Sequence, residues 1–110
     1  MLQLAWDYAN GSISEETIGN ALYNATDREK VSTVRLLLQS FGASPNATGE
    51  EYGTALTAAA FDGIMEMVQL LLDAGAEIND PNGWALQTAA AEGHYEIVQE
   101  LISRGAEVNA

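Results

Sequence analysis

The stretch GTALTAAAFDGIMEMVQLLLDAGAEIN, residues 53–79, is followed three residues later by GWALQTAAAEGHYEIVQELISRGAEVN, residues 83–109. The two align without a gap. Leu56 falls on Leu86, Gly63 on Gly93, Val68 on Val98, Gly75 on Gly105 and Asn79 on Asn109. Working outward, a third and more diverged copy starts at Gly19-Asn20-Ala21-Leu22 and runs through Val34-Arg35-Leu36-Leu37-Leu38 to Asn46. Leu22 and Leu56 are 34 residues apart, Leu56 and Leu86 are 30 apart. A period in this range marks a stacked array of small supersecondary units, none of which buries its apolar face alone.

Each copy reads as two helices. The first is short and Ala-rich, which lets neighbouring backbones approach closely. Asn20 and Thr54 stand where an N-cap is wanted, with side-chain oxygens for the orphan amides of a first turn. Gly63 and Gly93 mark a turn. The second helix carries an apolar stripe, Met67, Val68, Leu71 and Leu72, at the i, i+1, i+4, i+5 spacing of an amphipathic helix. Gly75 and Gly105 follow, where a left-handed residue closes a helix. The pattern predicts helices near 21–27, 31–40, 55–61, 65–73, 85–91 and 95–103, with little strand.

These residues resemble the ankyrin repeat, over about residues 19–110. The family pattern runs Thr-Pro-Leu-His-x-Ala-Ala, then Gly-His-x-Glu-Ile-Val, Leu-Leu and Gly-Ala-Asp-Val-Asn-Ala. Gly93-His94-Tyr95-Glu96-Ile97-Val98 and Gly105-Ala106-Glu107-Val108-Asn109-Ala110 match it closely. The Tyr52–Leu56 run resembles ankyrin arrays of large fungal signalling proteins. The resemblance implies an all-α ankyrin-repeat solenoid of about three helix–turn–helix repeats plus a partial N-terminal repeat. Several positions depart from the pattern. Ala21, Ala55 and Ala85 replace the Pro of the first helical position. Tyr23, Thr57 and Gln87 replace the family His, which puts its hydrogen-bond bracing between repeats in question. Glu29 replaces the turn Gly, and Trp84 occupies a capping position where an indole accepts no bond.

The divisions expected are a preceding helix and polar connector at 1–18 and repeats at 19–48, 49–81 and 82–110. Residues 47–52 form a finger between the first two copies. In the next connector Asp80-Pro81-Asn82-Gly83 is a strong tight-turn sequence. Residues 1–9 resemble the second helix of a repeat whose first helix is missing, so the chain reads as a segment of a longer array. Leu2, Leu4, Trp6 and Tyr8 would expose an apolar end and favour weak self-association.

Composition narrows the function classes. Four Lys and Arg against 16 Asp and Glu give a net charge of −12, which repels nucleic acid and anionic lipid and favours basic proteins. The chain has no Cys and one His, too few for a zinc set. No stretch has the ligand alternation of a calcium loop, and no cofactor is expected. His94 sits in the Gly-His turn, where the resemblance implies a structural role. Asn10, Asn24 and Asn46 begin glycosylation triplets that read as accidental without a signal peptide. The expected location is the cytoplasm. Glu50 and Glu51 read as a solvated finger tip, and no nucleophile–base pair suggests an enzyme.

The resemblance also implies where a partner would bind: the finger tips and first-helix ends of the concave face. On that register the candidates are Asp27, Arg28, Glu50, Glu51, Tyr52, Phe61, Asp62, Trp84, Ala91 and Glu92. Phe61 is either an apolar anchor or folded back on the stack, and Tyr52 packs under the finger. The expected function is a protein–protein interaction module taking a basic protein or peptide with an apolar anchor. The alternative is an architectural spacer or scaffold in a longer array, which would be the sensor part of a multidomain signalling protein.

Overall fold

In the computed structural model, which describes residues 14–81 and 83–105, the first helix starts earlier than the repeat register predicts. Ser14, in extended backbone, accepts the Thr17 N–H on its hydroxyl at 3.1 Å and opens α1, Glu15–Asp27. Glu15 and Glu16 complement the positive end of the helix dipole. Asn20 is therefore not a cap but an exposed residue in mid-helix, Ala21 is not at a helix start, and residues 15–18 belong to α1 rather than to a connector. A preceding helix at 1–9, and self-association through it, lie outside the described residues.

The remaining elements follow the expected spacing: α2 (Val31–Ser40), β1 (Thr48–Gly49), β2 (Gly53–Thr54), α3 (Ala55–Asp62), α4 (Met65–Asp73), α5 (Ala85–Ala91) and α6 (Tyr95–Ser103). Thr54 caps α3 as its sequence position suggests, accepting the Thr57 N–H at 3.2 Å. Trp84 supplies no side-chain cap to α5. Gly83 N–H closes the tight turn on the Asp80 carbonyl at 3.0 Å.

The helices form two rows. First helices α1, α3 and α5 pack side by side, and second helices α2, α4 and α6 form the row behind them. The core lies between the rows, with Leu22, Val34, Leu56, Met67, Val68, Leu71 and Leu101 fully enclosed. Helix α3 has a neighbour on either flank, so every residue from Ala55 to Ala60 is buried. Alanine at these positions keeps the three first helices close; a larger side chain would force them apart.

Hydrogen bonds across the repeat boundaries persist without the family His. The Tyr23 hydroxyl accepts the Tyr52 backbone N–H at 2.8 Å, and Thr57 Oγ1 accepts the Trp84 backbone N–H at 2.9 Å. Both side chains are buried. Each needs a glycine opposite. A Cβ on Gly49 would clash with the Tyr23 ring, and one on Gly83 would come within 2.6 Å of Thr57 Oγ1. Behind them, Arg35 pairs with Glu66, and Arg104 bridges Glu100 at 2.8 Å and Asp73 at 2.9 Å. Asn46 Oδ1 accepts the Glu77 N–H at 2.8 Å, and Asn79 Nδ2 donates to the Gly105 carbonyl at 3.2 Å.

Candidate partner-binding face

The finger is an antiparallel hairpin pairing Thr48 with Thr54 and Gly49 with Gly53, so Glu50, Glu51 and Tyr52 form its tip. The Tyr23 hydroxyl and the bare Gly49 hold that hairpin down on α1. So fixed, Tyr52 reaches the end of α3 and stacks on Phe61, ring centroids 4.9 Å apart and planes 29° apart. One side of the Phe61 ring lies on Tyr52, and 37% of the residue stays exposed. Tyr52 is half-buried at the finger tip.

Carboxylates surround this aromatic pair. The Tyr52 phenol is pushed up to about 12, first by its partial burial, then by Glu51, with smaller contributions from Asp27 and Asp62. Asp62 is pushed up to about 6, again first by burial and then by Glu29, Asp27 and Glu51, while His94 pulls it down. Its Oδ2 is shielded from solvent and has no hydrogen-bond partner among the described residues. Asp62 is also the last residue of α3, where the helix dipole disfavours negative charge and the last turn carries no basic residue. Glu29 adds backbone strain: its φ is +62°, where the equivalent Gly63 and Gly93 both have +77°.

Asp27, Glu51, Tyr52, Phe61 and Asp62 thus form one neighbourhood. Arg28 is exposed at the C-cap of α1, Glu50 at the finger tip, and Ala91 and Glu92 at the end of α5. Trp84, 54% exposed, instead lines a separate recess of about 240 Å³ with Ile78, Pro81 and Leu86. His94 Nε2 donates to the Phe61 carbonyl at 3.0 Å and its ring packs over Gly63.

Residues 22–110 match the family model of ankyrin repeats, in three copies. The chain belongs to the ankyrin-repeat family. A search of curated proteins finds no match. Ankyrin repeats are in general protein–protein interaction modules, and among the described residues no helix is long and apolar enough to cross a membrane. In this ankyrin array two further residues belong to the finger side. Asn20 and Asn24 line a groove of about 380 Å³ with Asp27, Thr48, Glu50 and Glu51. The i, i+4, i+7 spacing of Asn20, Asn24 and Asp27 was the available signal, hidden by the assignment of Asn20 to a helix cap.

Proposed function

We propose that this ankyrin array binds a basic protein segment on its concave side, with Phe61 as the apolar anchor. One observation carries the reading: the exposed part of Phe61 adjoins Tyr52 and Asp62, and both of those groups feel the repulsion of the Asp27 and Glu51 carboxylates. A cationic partner relieves that repulsion, while the ring supplies the desolvated contact at the centre of a polar rim. Arg35 and Arg104, two of the four basic residues, are engaged in the row of second helices and do not offset this charge. Arg28, Glu50, Ala91 and Glu92 form the rim, and Trp84 offers a second, separate contact.

The test is association kinetics with a partner peptide carrying several Lys and one large apolar residue. Raising salt, which screens charge beyond about 8 Å at physiological strength, slows association. Phe61→Ala speeds dissociation, at a cost on the order of 2 kcal/mol. A peptide that binds with neither salt dependence nor sensitivity to Phe61→Ala refutes the reading. The scaffold alternative draws on the other side of the last repeat, where Ile102 is 47% exposed although its equivalent Leu72 is 9% exposed. That apolar flank suits contact with a further repeat of a longer array.

A further inference from the structure

The groove between α1 and the finger has a feature that acidity alone does not account for. Asn20 and Asn24 are solvent-exposed in the middle of a helix, and neither side chain makes a hydrogen bond among the described residues. Asparagine is a poor residue there: its amide competes with the helical backbone, and it cedes helix propensity to Ala at each position. Neither residue caps the helix and neither is buried.

Their spacing is informative. Residues four apart on a helix lie on one face and are separated by about 6 Å along the axis. An extended peptide repeats its outward peptide groups every two residues, about 6.7 Å. A side-chain amide both donates and accepts, which is what a peptide group's N–H and C=O require. Across the groove, Thr48, Glu50 and Glu51 stand on the finger, and Asp27 closes the end of the Asn stripe. Amides on one wall and carboxylates at the other wall and end suit a main chain bearing a positive side chain.

We propose that this groove binds an extended basic segment of the partner through its main chain, Asn20 and Asn24 bonding alternate peptide groups while Asp27, Glu50 and Glu51 pair with a Lys or Arg side chain. The inference rests on the reading that this side takes up a basic partner and adds its conformation and mode of recognition.

The experiment is fluorescence anisotropy on the full chain with two labelled probes. One is a short peptide alternating Lys and Ala with a single Leu; the other has the same sequence with alternate backbone nitrogens methylated. The Asn20→Ala, Asn24→Ala double variant binds the first probe about tenfold more weakly, the loss of two modest hydrogen bonds. Its melting temperature is unchanged or higher, because Ala is the better helix former. The methylated probe binds the unaltered protein about tenfold more weakly than the first and is indifferent to the double substitution. Equal binding of the two probes, or full binding by the double variant when Asp27→Asn and Glu51→Gln weaken it, overturns main-chain recognition but leaves the basic-partner reading intact. Failure of the unaltered protein to bind either probe overturns both.

Discussion

The middle repeat, α3–α4, and the last, α5–α6, share their pattern residue for residue, yet they differ in what they bury. Leu56 is enclosed and Leu86 half-buried; Thr57 is enclosed and Gln87 exposed; Ala60 is enclosed and Ala90 exposed. Helix α3 lies between α1 and α5, whereas α5 packs against α3 alone among the first helices described. In a stacked array, burial belongs to a residue's neighbours as much as to its own type. Mutational cost should therefore follow position in the stack, and equivalent substitutions in the two repeats measure the effect.

The largest contrast is expected at the leucines. Leu56→Ala costs about 3 kcal/mol in urea unfolding, within the range for a fully enclosed leucine, and Leu86→Ala about half of that. Equal costs would mean that the outer flank of α5 is as well packed as the middle of the stack. Next come the braces. Thr57→Val leaves the Trp84 N–H without its acceptor and costs about 1.5 kcal/mol. Gln87→Val at the equivalent exposed position stays within about 0.5 kcal/mol.

A smaller contrast is carried by pH. Folding raises the Asp62 carboxyl from near 3.8 to about 6, so between those values the folded state keeps a proton that the unfolded chain has lost. Stability declines as pH rises through that window and stays at the lower level above it. Asp62→Asn should therefore raise the melting temperature above pH 6, with the gain fading as pH falls toward 4. The smallest effect is at the first repeat. Glu29→Gly removes a left-handed non-glycine residue and stabilises by about 0.5 kcal/mol, the strain relieved less the entropy that glycine brings. A loss of stability instead would show that the Glu29 side chain makes a contact outweighing its strain.

The helix pairs from residue 31 onward were legible because glycines punctuate them and the apolar stripe of each second helix is uninterrupted. The start of α1 was not. Asn20 aligns with a true cap, Thr54, and that alignment concealed Ser14-Glu15-Glu16, a sound helix start six residues earlier. The replacement of the family His was legible, but its outcome was not, because Tyr23 and Thr57 brace the stack only where Gly49 and Gly83 leave them room. The Tyr52–Phe61 contact and the shielding of Asp62 Oδ2 escaped for a related reason. Both depend on how the finger lies across α1, which residues far apart in sequence decide together.

The side-chain bonds that tie one repeat to the next share a property with consequences for how the molecule is made. Each joins residues no more than 33 apart in sequence, and several join residues close to one period apart. None of them ties the first repeat to the last. A chain wired in this way has little loop-closure entropy to overcome before native contacts form, the condition for rapid folding. Each repeat can dock on its predecessor as soon as it leaves the ribosome, so assembly proceeds in the order of synthesis, with α3 arriving on α1 once the finger has been made.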